Sequence, residues 1–408
     1  MKTKAANIFS SIKYELCIFL LLAIQAVFTI SPFFFYVGEH TRLYYLIDFS
    51  MGKTSRLLVG SIVKLLNADP SPEWIGGFAT VVLALVLLMS SIVIGKVIRS
   101  VGNEYKPQVL VLTAFLITGL FTFSGFSEFL GVLDIWMFIA ALLAVVCAFN
   151  KYLRWFIPVL CVAGVLVHNA FAITYFPFII LVVLYLAASE EKKGVNITVF
   201  VLSCIATVAL TLFVTMKSTD AVTVNQQQIY EALKHRGGYT YDDHGIGYIL
   251  FYLLDIPPEY TGYTAEMVAQ ASIFERFVMM MKFNLSSISL GYTLAVTASG
   301  IAVIAAFWVI WIKCIRNTAD KSKRFVYLCC MLSVLAIPVG MLVAFDFIRW
   351  FQACIITQFG MVMLMFYKKD EAFEKTAVQL REFFGNKKLL LALIFIVYST
   401  AQHIGQSA

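Results

Sequence analysis

Residues 74–95 read WIGGFATVVLALVLLMSSIVIG, 22 residues without a charged group. Coiled as an α-helix, the run is about 33 Å long, enough to cross the ~30 Å hydrocarbon core of a bilayer. A strand of a membrane barrel would instead alternate apolar and polar residues over about ten positions, and this run does not. The same reading extends outward along the chain. Apolar blocks at 16–37, 74–95, 107–123, 134–150, 155–168, 170–188, 195–216, 290–312, 325–345, 350–367 and 389–402 predict an all-α, polytopic transmembrane helix bundle of about eleven spans. The blocks at 155–168 and 170–188 are joined directly at His168-Asn169.

Composition agrees. The 408 residues are 61% hydrophobic and 13% charged, whereas soluble domains carry about 25% charged residues. The net charge of +7 does not form a basic stripe of the kind that reads nucleic acid. Lys and Arg fall instead in short clusters between apolar blocks. With the N-terminus inside, 21 of the 31 Lys and Arg residues lie in inside segments, which predicts a cytoplasmic N-terminus and, with an odd span count, an outside C-terminus. Phe33-Phe34-Phe35 stands where a cleavage site would need small residues, so the first block reads as an uncleaved span. The eight cysteines sit mostly inside apolar blocks and form no C-x-x-C pair, so they read as small hydrophobes rather than a disulfide frame or zinc site.

The chain reads as one integral membrane domain, 1–408, with two long outer segments. Residues 38–73 form an amphipathic first outer loop: Lys53, Arg56, Gly60 and Lys64 recur at helical spacing, opposite Leu57, Leu58, Ile62 and Leu65, as in a helix lying in the interface. Residues 217–289 form a long outer loop before the eighth span.

The ionisable residues that stand out map to the outer side, where a buried or interfacial charge marks a site or a pathway. Asp346 and Arg349 are three apart and share a helix face, so they can pair or jointly grip a ligand, with Trp350 beside them. The planar fork of an arginine suits phosphate. Asp48 precedes the Lys53/Arg56 helix, an arrangement in which a carboxylate acts as general base while cations hold an anionic donor. Glu128 and Asp134 flank Gly131 at the mouth between the third and fourth spans, where Asp134 is placed to cap the fourth. His168 interrupts an apolar hairpin. Arg236, in His235-Arg236-Gly237-Gly238, can cover an anionic substrate. Asp242-Asp243-His244 has carboxylates that suit a divalent ion, though adjacent residues rarely all face one ion and the stretch reads first as a solvated loop. There is no P-loop, nucleophile elbow, zinc-protease helix or dinucleotide fingerprint. No cofactor is indicated, and no ligand set supports a divalent metal.

Taken together, the run from Asp48 to Gly60, the Glu128–Asp134 mouth, the His168-Asn169 hairpin and the Asp346-x-x-Arg349-Trp350 motif resemble bacterial polytopic proteins whose layout is similar to GT-C-type glycosyltransferases and O-antigen-type polysaccharide polymerases. The resemblance implies a multi-pass protein of the bacterial cytoplasmic membrane with its active site facing outside. Its donor would be a polyprenyl-phosphate-linked sugar and its acceptor a glycan. It implies Asp48 as base, with Arg56 and Arg349 on the donor phosphate; Glu128 and Asp346 are the other candidate catalytic acids. Lys53, Asp134, His168, Arg236 and Trp350 complete the candidate substrate site, and the polymerases would give more weight to Arg236 and Arg349. The first loop lacks the paired acids common among GT-C enzymes. A transporter or flippase, or an assembly protein without catalysis, remains the alternative class.

Overall fold

A computed structural model describes residues 2–29, 37, 39–51, 55–66, 71–128, 130–190, 193–237, 290–343 and 347–404, with a few positions between 272 and 282. Among these every regular element is helical. In chain order they are α1 (Lys2–Thr29), α2 (Glu39–Leu46), α3 (Leu57–Leu65), α4 (Pro72–Ser100), α5 (Lys106–Thr118), α6 (Gly125–Glu128), α7 (Leu133–Ala148), α8 (Ile157–Val167), α9 (Phe176–Ser189), α10 (Lys193–Gly237), α11 (Leu290–Asn317), α12 (Lys321–Leu332), α13 (Ala336–Val343), α14 (Phe347–Tyr367), α15 (Glu371–Gly385) and α16 (Lys388–Ile404). Among the described residues seven helices are long and apolar enough to cross a membrane. The third predicted block corresponds to α5 and the bent segment after it, and three others to the shorter apolar helices Leu133–Ala148, Leu153–Val167 and Lys388–Ser399.

The helix termini follow from the residues that close them. Ser71 accepts from the Trp74 N–H at 3.2 Å and Pro72 opens α4, where its missing N–H costs nothing. α5, α8 and α9 likewise carry a proline in their first turn. The Lys193–Gly237 helix continues past the predicted seventh block into the segment read as a long loop.

The span within α14 is 89% buried, against 17% for that of α1, so α14 forms the middle of the bundle and α1 its rim. α14 is also among the more polar of the spans, and the two facts are linked. Hydrocarbon offers no hydrogen bonds, so polar side chains turn inward and bond to neighbouring helices. Gln352 donates to the Thr122 carbonyl at 2.8 Å, and Gln358 donates to the Cys330 carbonyl at 3.0 Å while accepting from Trp311 Nε1 at 2.5 Å.

Buried charge gathers at the two ends of this bundle. One end carries Arg349 and is described below. At the other, Lys369 turns the chain in a left-handed conformation (φ 51°) and Asp370 caps α15 through the Phe373 N–H at 3.1 Å. The Asp370 carboxylate also accepts from Tyr327 at 2.6 Å, Tyr185 at 3.0 Å and Lys323 at 2.8 Å, so four groups from α9, α12 and α15 converge on it. Burial pushes its carboxyl upward, but the Lys323 and Tyr327 hydrogen bonds win and hold it below the ordinary carboxylate range. Arg154, Glu190 and Asn196 form a second linked group at the same end.

Candidate functional site

At the Arg349 end the chain forms three turns that converge. The first is the segment leading into α3. Arg56 stands just ahead of this helix in the left-handed region (φ 73°), a conformation costly for any residue with a Cβ. Its N–H donates to the Leu166 carbonyl of α8 at 3.1 Å, and the residue is 2% exposed. The second turn joins α8 to α9. His168 ends α8, and its Nδ1 accepts from the Ala170 N–H at 3.0 Å. A ring nitrogen that accepts carries no proton, which assigns the proton of the neutral imidazole to Nε2. The third is the first turn of α14 itself, which carries Arg349.

Arg349 Nη2 lies 2.5 Å from Asp134 Oδ2, and both side chains are largely buried. A guanidinium in the first turn of a helix opposes the positive end of the macrodipole, whereas a carboxylate in the first turn of α7 is favoured by it. Pairing the two offsets the unfavourable placement. The N-cap of α7 is Val132, so Asp134 does not cap its helix as the sequence suggested; two positions further in, its carboxylate faces Arg349.

Arg56 and Arg349 both act electrostatically on His168, and Asp134 and Arg349 both act on Tyr175. Two guanidiniums, a carboxylate, an imidazole and a phenol therefore share one buried neighbourhood. Tyr175 is fully buried and its hydroxyl has no hydrogen-bond partner among the described residues. Sequence reasoning missed it, because one tyrosine among 19 inside an apolar run gives no signal. Trp350 is buried with its ring against Gly340. It lines a cavity of about 10 Å³ with Thr174 and Thr357, room for one water and no larger ligand.

Asp48 is only 2% exposed, and its described bonds lead elsewhere. Its Oδ1 accepts from the Ser50 N–H at 2.8 Å, from the Ser50 hydroxyl at 2.5 Å and from Lys64 at 3.1 Å. Burial raises its carboxyl, but the bonds from Ser50 and the Lys64 ammonium together bring it below the ordinary value. Lys64 is eight residues along from Arg56, so these described bonds put Asp48 near the far end of α3, about 12 Å along the axis. α3 buries Leu57, Val59, Gly60 and Val63 and exposes Ile62, Lys64 and Leu65. Gly60 and Arg56 thus belong to the buried side, not to the polar face the spacing suggested. The reason is contact: a Cβ at Gly60 would stand 1.8 Å from the Ile47 carbonyl oxygen, so only glycine lets α3 press onto the end of α2.

A second close contact supports the Asp134 turn. Gly131 adopts φ 86°, and its carbonyl accepts from the buried Tyr45 hydroxyl at 2.8 Å, which ties α2 to the entrance of α7. Glu128 ends α6, but its side chain lies outside the described residues, as does that of Arg236 on α10. Lys53, Asp346 and Asp242-Asp243-His244 lie outside them altogether, so the predicted Asp346–Arg349 pairing is not addressed. Among the described residues no group of three His, Cys, Asp or Glu side chains is placed to hold a metal, and the eight cysteines are unpaired.

No family model, curated protein or solved structure matches the chain, so the functional reading rests on this geometry.

Proposed function

We propose that the protein is a membrane-embedded glycosyltransferase or polysaccharide polymerase that draws its sugar from a polyprenyl-phosphate-linked donor at the Arg349 end of the bundle, facing the outside of a bacterial cytoplasmic membrane. The observation that carries the reading is the gathering of Arg349, Asp134, Arg56, His168 and Tyr175 in one buried neighbourhood. A lipid-borne phosphate presents oxygens that match the arginine fork and accept from the imidazole Nε2–H and the phenol.

In this scheme Arg349 turns from Asp134 to the incoming phosphate, with Arg56 on the same group. Asp134, released from the pair, takes the proton of the acceptor hydroxyl as its oxygen attacks the anomeric carbon. The bond from that carbon to the phosphate oxygen breaks, and its electron pair leaves with the polyprenyl phosphate. The fixed guanidiniums stabilise the added negative charge in a site that excludes most water. This assignment moves the base from Asp48, whose described bonds lead to Ser50 and Lys64, to Asp134, the carboxylate beside Arg349.

The test is mass spectrometry of lipid-linked saccharides in cells carrying wild-type protein, Asp134→Asn or Arg349→Ala at matched protein levels. One lipid-linked intermediate should build up in both variants. An unchanged pool in both overturns transfer, and build-up in Asp48→Asn but not Asp134→Asn returns the base to Asp48.

A further inference from the structure

A groove of about 200 Å³ lies between α4, α5, α7, α9 and α14. It runs along α7 from Phe138 to Phe149, about 16 Å of helix. An apolar cavity of about 150 Å³ stays dry and takes a benzene-sized molecule, so this one accommodates hydrocarbon rather than water. Its lining is aromatic and aliphatic almost throughout, and the few polar groups are not scattered. Lys96 and Tyr367 stand at the end nearest the Asp370 cluster, with Ser90 deeper on α4.

Two of these groups lack the partners expected of them. The Ser90 hydroxyl is buried without a hydrogen-bond partner among the described residues, which is costly in an apolar surround. Among the described residues Lys96 has no carboxylate partner; its ammonium stands 5.6 Å from the centre of the Tyr367 ring. A second cation, Lys368, lies 5.2 Å from the centre of the Phe149 ring at the same mouth, but it is already paired with Glu190 at 3.7 Å, which leaves Lys96 as the cation for a ligand. The groove is thus apolar along its length, with a hydroxyl part-way and lysines at one mouth.

We propose that this groove binds one acyl chain of an anionic phospholipid from the leaflet at the lysine-bearing end. Lys96 meets the phosphate, and the Ser90 hydroxyl, about 9 Å further along α4, donates to an ester carbonyl of the glycerol backbone. The order of chemistries along the groove is the order along a phospholipid: anionic head, ester, hydrocarbon. An isoprenoid phosphate has the head and the chain but no ester carbonyl for Ser90. Juxtamembrane lysines are drawn to anionic lipids by the surface potential of the leaflet, and a long lysine stem reaches the headgroup layer while its methylenes stay in apolar surroundings. The site is separate from the Asp134–Arg349 pair, and its occupancy does not depend on the transfer reaction.

The experiment uses purified, delipidated full-length protein. It is titrated in one detergent with phosphatidylglycerol or phosphatidylethanolamine carrying identical acyl chains, and bound lipid is counted by native mass spectrometry. Phosphatidylglycerol should bind at least tenfold more tightly. Lys96→Glu should abolish that preference, Ser90→Ala should weaken both lipids severalfold, and Leu142→Trp, which fills the groove, should displace both. Equal binding of the two lipids by the wild type, or an unchanged preference in Lys96→Glu, overturns the proposal. So does displacement of phosphatidylglycerol by equimolar undecaprenyl phosphate, which would give the groove to an isoprenoid chain. Should Leu142→Trp not fold, Lys96→Glu at its exposed position still decides. Because the readout is bound lipid, its failure is distinguishable from failure of the transfer reading.

Discussion

The two ends of the bundle each bury a carboxylate against a cation and surround it differently. Asp370 receives four hydrogen bonds, from Lys323, Tyr327, Tyr185 and the Phe373 N–H, and its side chain is fully enclosed. Asp134 pairs with Arg349 beside a second guanidinium, an imidazole, and a phenol whose hydroxyl has no partner among the described residues. A fully bonded buried charge holds helices together. A buried neighbourhood that keeps an unused donor is arranged for something that arrives from outside. The comparison teaches that ion pairs of similar depth can have different purposes, and that hydrogen-bond saturation separates them.

The largest effect is expected at the saturated end. Asp370→Ala removes the hub of three elements and strands Lys323, a change of about 3–5 kcal/mol for breaking a buried pair. Thermal unfolding in detergent should show it, while transfer per folded molecule stays near wild type. The same carboxyl supplies the pH dependence. Its folded pKa lies below the unfolded one, so its stabilisation is fully present above about pH 4 and is lost as pH falls through the lowered folded value. Asp370→Asn should flatten the acid limb of the stability curve; an unaltered limb removes Asp370 from the account.

At the other end the expectation reverses. Arg349→Lys keeps the charge beside Asp134 but loses the planar fork, so transfer should fall by about 10- to 100-fold with little change in unfolding temperature. A large loss of stability with full transfer per folded molecule would make this pair a second structural hub and erase the contrast. Between these lies Gly60→Ala, whose Cβ must push the Ile47 carbonyl away, at about 1–3 kcal/mol. Because α3 carries Arg56 at its start, this variant should lose transfer as well as stability.

How much of this was written in the sequence differs by element. Runs such as residues 74–95 announce their helices through length and the lack of charge, since that signal is local. The face that α3 buries was not legible, because it depends on a glycine meeting a carbonyl thirteen residues earlier, a contact invisible to helical periodicity. Arg349 and Asp134 were each readable as candidates from a charge near a span end. Their partnership was not, for they are 215 residues apart and belong to different helices. Tyr175 was hidden by its apolar context, and Asp370 by the crowd of charges around it, where a buried hub and a solvated loop acid look alike in one dimension.

The smallest effect is the sharpest test, because stability and function should move in opposite directions. Arg56 holds φ 73° with its N–H bonded to Leu166 and its side chain buried. Glycine adopts this conformation without the clash of a Cβ, so Arg56→Gly should recover about 1 kcal/mol of backbone strain, offset by the packing and bonds of the lost side chain. The net change in unfolding temperature should therefore be small, while transfer falls because a cation acting on His168 is gone. Arg56→Ala is the control, since it loses the same guanidinium but keeps the strain. It should be less stable than Arg56→Gly and equally impaired in transfer. If both variants retain full transfer, the left-handed arginine is only a way of docking α3 onto α8, and the Arg349 end holds its ligand without it.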